Sequence, residues 1–324
     1  MAEKVAEQIT RVAAIDCGTN SIRLLIADID REAGTLTDLE RTMHVVRLGQ
    51  GVDRTGRLDP EALARTFERS REYAAKIAEL GATRVRFVAT SATRDASNRD
   101  EFFSGIREIL GVTPEVVSGD EEAYLSFRGA TGVFGGQFPA PYLVVDLGGG
   151  STELVLGTDR PQAAKSMDVG CVRMTERHLR SDPPTPAEIE AARADIRRAL
   201  DEAAEIVPLG QTATLVGLAG SITTVTAHAL GLAAYDRDRI NGATLSVDDV
   251  LASAADLLAR DRAQRAELGF MHPGRIDVIG AGALVWSEVV ARVRDEVAAQ
   301  GRELGPILTS EHDILDGIAW SLVE

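Results

Sequence analysis

At 324 residues, with 44% hydrophobic and 26% charged side chains, the chain has an ordinary globular composition and is long for a single core, so two domains are expected. Its 35 basic and 50 acidic residues leave a net charge of −15, which argues against a general nucleic-acid binder or a protein held on an anionic membrane. No apolar run approaches the roughly 18 residues of a membrane span, and the opening MAEKVAEQITR lacks the apolar centre of a secretory signal, so a cytoplasmic location is expected.

In chain order, Val12–Asp16 is an apolar strand ending in an acid, Gly18-Thr19-Asn20 a turn, and Ser21–Asp28 a second strand. Gly18 permits the turn, and Thr19, Asn20 and Ser21 offer side-chain donors at its mouth. Arg23 adds a fixed positive charge, with a solvent-facing strand position as the alternative. Leu36–Val46 is a weaker strand. Asp59-Pro60 supplies an N-cap and a first-position proline for a helix running to about Leu80. Arg84–Ala89 is a strand that delivers Thr90-Ser91-Ala92-Thr93-Arg94; hydroxyls and an arginine at a strand's C-terminal end suit a ligand, a solvated loop being the plainer reading. Asn98 and Glu101 predict a capping box for a helix through Leu110. After a short strand at Glu115–Ser118, Gly119-Asp120-Glu121-Glu122-Ala123 opens a helix. Its acids suit the helix dipole, but a buried one would also serve as a general base. Glu121 and Glu122 diverge on a helix, so at most one enters a site.

Phe134–Pro141, rich in glycine and proline, is the expected linker, giving domains 1–136 and 137–324, with the last helix able to pack back on the first. Pro141–Gly157, PYLVVDLGGGSTELVLG, then repeats the opening pattern of strand, acid, glycine turn and strand. Gly148, Gly149 and Gly150 let backbone amides approach a ligand, and with Ser151 and Thr152 they form a turn suited to phosphate oxygens. Asp146 and Glu153 on either side are hard-cation ligands. Two copies of one such unit would set both turns on opposite walls of a cleft.

Ala163–Asp168 is a third strand. Thr185, Pro186 and Glu188 predict a capped helix start. Thr214–Leu218 runs into Gly220 and Ser221 at a helix N-terminus, an arrangement that binds anions, with glycines easing close helix–strand packing as the alternative. Ser246 caps a helix to about Ala259, and Asp261–Glu267 carries a short one. Ile276–Val293 is a long helix containing Gly280 and Gly282, with Arg275 at its start as a phosphate contact. Ser310 is expected to cap a last helix, Ile314–Leu322, that buries Trp320. Cys17 and Cys171 are expected to be reduced thiols, and the five histidines, lacking any metal-ligand spacing, to be structural.

Taken together, IDCGTNSIRLLIADI, ATSATRDASN, VSGDEEAYLSFRGA, VVDLGGGSTELVLG, GLAGSITTV and HPGRIDVIGAGAL resemble, in order, the motifs of the exopolyphosphatase/guanosine pentaphosphate phosphatase family, of the sugar kinase, actin and heat-shock chaperone ATPase superfamily. The resemblance spans Val12 to about Leu322. It implies an α/β protein of two ribonuclease-H-like (actin-like ATPase) domains around an interdomain cleft, in the short form without a C-terminal helical extension. It implies Glu122 as the base that activates water, with Glu121 as fallback, and Asp146 and Glu153 as Mg2+ ligands, with K+ as an activator. Gly148, Gly149 and Ser151 become one phosphate cradle. Asn20, Ser21 and Arg94 become the facing wall, and Gly220 and Ser221 a further phosphate position, with Arg23 and Arg275 as weaker contacts. The implied activity is release of orthophosphate from inorganic polyphosphate, in a possible homodimer. The alternatives are hydrolysis of guanosine pentaphosphate, phosphotransfer, and non-catalytic sensing of polyphosphate or alarmone. Ala219 and the segment Glu311-His312-Asp313 depart from the family pattern.

Overall fold

The computed structural model describes residues 9–132 and 137–324. Contacts divide the chain into two units, Met1–Leu125 with Ile314–Glu324, and Ser126–Asp313. The expected boundary after residue 136 falls at the edge of the undescribed segment, and Phe134, Gly135 and Gly136 of the expected linker lie outside the described residues. The division itself lies within the helix Gly119–Thr131.

In the first unit, β1 (Ile9–Cys17), β2 (Ser21–Asp30) and β3 (Thr35–Val45) form an antiparallel meander, and β4 (Arg84–Ala89) and β5 (Glu115–Val116) extend it in parallel, in the order β3-β2-β1-β4-β5. Side chains alternate along β1. Ala13, Ile15 and Cys17 join a core with Phe87, Phe102, Tyr73 and Ile77, while Val12 and Ala14 join Val88, Leu125, Ile314 and Ile318 on the opposite face. Such a strand is buried on both faces. The helix Pro60–Leu80 starts as its residues predict, with the Asp59 carboxylate accepting the Glu61 and Ala62 amides, and ends at Gly81 with φ +71°. The capping box expected at Asn98 does not form. Its side chain instead pairs with Leu58, accepting the amide at 2.8 Å and donating to the carbonyl at 3.1 Å, so a contact 40 residues distant replaces the local one.

The second unit contains β6 (Tyr142–Leu147), β7 (Thr152–Gly157), β8 (Pro161–Met167), β9 (Thr214–Leu218), β10 (Thr244–Leu245) and β11 (Ile307–Thr309), in the order β10-β11-β9-β6-β7-β8. Matching β6, β7, β8, β9 and β11 to β1 through β5 gives the same strand order, with β10 added antiparallel at the edge. The repeated motif in the sequence is therefore a repeated sheet. The helix Pro186–Ala204 has the full Thr185/Glu188 capping box. The long helix spans Ile279–Ala299, after a 3-10 turn at Pro273–Arg275. Its glycines are sites of close approach: a Cβ on Gly282 would lie 2.3 Å from the Ser221 hydroxyl, and one on Gly280 2.6 Å from the Arg265 guanidinium.

The last helix, Ile314–Ser321, packs in the first unit, and a Cβ on Gly317 would stand 2.0 Å from the Leu125 carbonyl oxygen. Ser310 does not cap it, because its hydroxyl donates to the His312 carbonyl and accepts the His312 amide. Trp320 is half-buried rather than buried. Both cysteines are free thiols in the interior. Among the described residues no helix is long and apolar enough to cross a membrane.

Candidate active site

The two hairpins correspond in register and in the hydrogen bond that closes the turn. Gly18 donates to the Ser21 carbonyl at 3.0 Å, and Gly148 to the Ser151 carbonyl at 3.0 Å. In each turn the fold ties down the carbonyls. The Gly148 oxygen accepts from the Cys171 amide and the Gly149 oxygen from Val172 and Arg173, all at the start of the helix Cys171–Arg177, while the Gly150 oxygen accepts from the Arg173 side chain at 2.7 Å. A trans peptide points its N–H opposite to its C=O, so the amides of Gly149, Gly150 and Ser151 turn away from that helix. Gly170 makes the arrangement possible, since a Cβ there would lie 2.4 Å from the Gly149 oxygen. In the first unit the Thr19 oxygen accepts from Gly49 and the Asn20 oxygen from Val46 and Arg47, which turns the Asn20 and Ser21 amides the same way. Both turns thus expose donors suited to an anion.

Asp146 and Glu153 are opposite one another across β6 and β7, 7% and 1% exposed. Ser126 donates to Asp146 at 2.5 Å, and Ser166 of β8 to Glu153 at 2.7 Å. Two buried like charges in direct cross-strand register destabilise a sheet unless a proton or cation intervenes. Among the described residues no set of three or more His, Cys, Asp or Glu side chains gathers for a metal. The pair therefore fits an ion that takes one or two carboxylates and completes its shell with water and phosphate oxygens, as Mg2+ does.

At the same register in the first hairpin, Arg23 does not point to solvent. Its Nε and Nη2 donate to Asp16 Oδ2 at 2.9 and 2.6 Å, so its charge is largely matched by a buried carboxylate. The hydroxyls after β4 form a short helix, Ser91–Asp95, rather than a solvated loop; Ser91, Ala92 and Thr93 are buried, and Ser91 meets Thr19 at 3.0 Å.

The two candidate bases separate. Glu121 is half-exposed and bound by Arg86, which also holds Glu115, so it belongs to a surface ion network. Glu122 is 7% exposed, with Arg94 Nη1 at 3.3 Å from Oε2; the same Nη1 donates to the Val117 carbonyl at 2.9 Å. Of the two, Glu122 has the burial that suits a base, whereas Glu121 is held at the surface by Arg86.

In the second unit β6 and β9 run parallel, with Asp146 beside Leu218, so the Gly220–Ser221 helix start and the Gly148 turn share one sheet edge. Arg275 lies over Gly220, where a Cβ would be 2.5 Å from the guanidinium, and donates to Thr224 at 3.2 Å. Its guanidinium is 5.9 Å from the centre of the Tyr235 ring. The Tyr235 hydroxyl bonds Thr223 and Glu311, and burial pushes the Glu311 carboxyl up. Tyr235 lies in no motif and was not identifiable as a site neighbour from the sequence, whereas Glu311 belongs to the segment that departs from the family pattern. Ala219, just before this helix, holds φ +70° and ψ 170°, a region rarely open to a residue with a Cβ.

Two sheets of this topology, each with a donor-lined turn beside an acid, define an actin-like α/β phosphohydrolase fold. The chain belongs to the Ppx/GppA phosphatase family, whose model matches residues 25–300. It is 50% identical over 321 residues to Exopolyphosphatase 2 of Mycobacterium tuberculosis, covering 97% of this chain and 99% of that protein. A solved exopolyphosphatase-like protein superposes with a TM-score of 0.94 at 50% identity, covering 97% of this chain and 98% of its own. The Aquifex aeolicus family member superposes with a TM-score of 0.77 at 27% identity, covering 97% and 98%.

Proposed function

We propose that this chain is an exopolyphosphatase, releasing terminal orthophosphate from inorganic polyphosphate. The observation that carries the reading is the buried Glu122 facing Arg94, in a chain half identical to a protein named as an exopolyphosphatase. Glu122 takes a proton from water as the water oxygen bonds to the terminal phosphorus; the bridging P–O bond breaks, and the shortened chain leaves as an oxyanion. Arg94 steadies the carboxylate and offers positive charge to phosphate oxygens. Within the first unit the outward amides of Asn20 and Ser21 offer a position for phosphate oxygens, and within the second those of Gly149 and Ser151 and the helix start at Gly220–Ser221 offer others. Asp146 and Glu153 would hold Mg2+, which when bound would neutralise phosphate charge. K+ as an activator, a homodimer and a cytoplasmic location belong to the same reading.

A second reading, hydrolysis of guanosine pentaphosphate, is favoured by one feature. The Tyr235 ring, 38% exposed beside Arg275, offers a stacking surface that a linear polyphosphate does not need. Phosphate release from short polyphosphate, long polyphosphate and guanosine pentaphosphate, with and without Mg2+, separates the two. Preference for the pentaphosphate at equal concentration overturns the first reading, and absence of release from all three overturns both.

A further inference from the structure

A cavity of about 390 Å³ between the helices Pro60–Leu80 and Arg99–Leu110 is too open to define a ligand. A second one, of about 270 Å³ and wholly within the second unit, carries more information. It is lined by Arg180, Asp182, Arg262, Arg265, Asp277 and Gly280, among others, none of them assigned above to the candidate active site.

Arg265 is 4% exposed. Its guanidinium donates to the carbonyls of Leu257, Leu258 and Ile276 at 3.0, 3.3 and 3.3 Å, and no carboxylate lies within ion-pair distance of it among the described residues. Three of its five N–H groups are thereby used, and one remains on each terminal nitrogen. Asp182, Asp261 and Asp277 act on the Arg265 charge only from beyond contact, and burial outweighs them, holding the guanidinium below its ordinary range. It also sits against Gly280, in the first turn of the 21-residue helix Ile279–Ala299, whose N-cap Val278 supplies no side-chain bond. That end of the helix carries positive partial charge, so two positive features converge on one cavity.

The two acids lining it are already engaged. Asp182 accepts the Arg262 amide at 3.1 Å through both oxygens, and Asp277 pairs with the Arg262 guanidinium at 3.2 Å. The exposed Arg180 side chain makes no hydrogen bond or ion pair among the described residues. The volume greatly exceeds the roughly 30 Å³ share of one water.

We infer that this cavity is a second anion site, taking a small oxyanion of the orthophosphate class between Arg180, Arg265 and the start of the helix Ile279–Ala299. The site does not depend on the proposed catalysis. It adjoins the Gly220–Ser221 loop through one helical turn, because Gly280 lines the cavity and Gly282 touches Ser221.

The test is a titration of the full chain with orthophosphate, read at the backbone amide resonances of Gly280 and Ala281. A saturable shift is expected in the wild type, and weakening by about tenfold or more in Arg180→Glu, the loss of one charge-assisted contact. Arg180→Glu should leave polyphosphate turnover in phosphate-free buffer unchanged. Glu122→Gln should keep the shift while losing turnover, so failure of the site and failure of the catalytic reading stay distinct. No saturable shift, an equal shift with chloride at matched ionic strength, or an undiminished shift in Arg180→Glu overturns the inference.

Discussion

Asp146 and Glu153 stand opposite one another on β6 and β7 at the register that Asp16 and Arg23 hold on β1 and β2. One hairpin closes the position with an ion pair, and the other leaves two acids facing. At this cross-strand pair a glutamate in one copy stands where the other has an arginine. Glu153→Gln keeps the acceptor for Ser166 and removes the like charge. Without divalent cation it should be more stable than the wild type by about 0.2–1 kcal/mol. The rise in melting temperature that Mg2+ gives the wild type should be lost. A variant that still responds fully to Mg2+ would remove Glu153 from the cation site.

Burial distinguishes the adjacent glutamates. Glu122→Gln should lower phosphate release by about 100-fold or more, whereas Glu121→Gln should stay within about twofold of wild type, as expected for loss of a general base against loss of a surface ion pair. Initial rates at saturating polyphosphate decide it. The reverse ranking would return the base role to Glu121.

Ala219 holds a backbone conformation that favours glycine. Ala219→Gly should therefore stabilise the chain by roughly 1 kcal/mol, less the added freedom of its unfolded state. Urea denaturation midpoints measure this directly. If turnover falls while stability rises, the strain serves the Gly220–Ser221 loop.

Gly317 has no room for a side chain against the Leu125 carbonyl. Gly317→Ala should cost about 1–3 kcal/mol by overpacking. Because Leu125 is one turn beyond Glu122 on the same helix, kcat should fall with it. A variant of unchanged stability would show that the helices separate freely.

The Glu188 carboxylate accepts the Thr185 amide and nearby donors, which holds its pKa down at about 2 against an ordinary 4.5. A depressed acid contributes stability that is fully present above 4.5 and lost as pH falls towards about 2. The difference in melting temperature between wild type and Glu188→Ala should be constant above that window and shrink within it. A constant difference across the window would mean that Glu188 acts by packing alone.

Much of this was legible from local chemistry. Asp59-Pro60 and Thr185-Pro186 mark helix starts because a cap needs only neighbours within three residues. The strand–acid–glycine pattern was visible twice for the same reason. Asn98 misled because its partner, Leu58, is 40 residues away and nothing local indicates it. The Asp16–Arg23 pair was within reach: a turn closed by Gly18 and Ser21 sets residues 16 and 23 opposite each other. Ser126 and Ser166 were beyond it, since their roles depend on which strands and helices meet. The choice between Glu121 and Glu122 needed Arg86 and Arg94, one holding each acid.

The helix Ile314–Ser321 has a further consequence. Its Ile314, Leu315, Ile318 and Ala319 fill the core beneath β1, and Arg41 pairs with its Asp316 at 2.6 Å. A ribosome makes this helix some 300 residues after β1. Of the two units the one begun first is therefore completed last, after the second has emerged, and Val12, Ala14 and Leu25 meanwhile have only Val88, Val117, Leu125 and their strand neighbours against them. Chaperone binding during translation should centre on that face of β1 and β2, and end when residues 314–321 arrive.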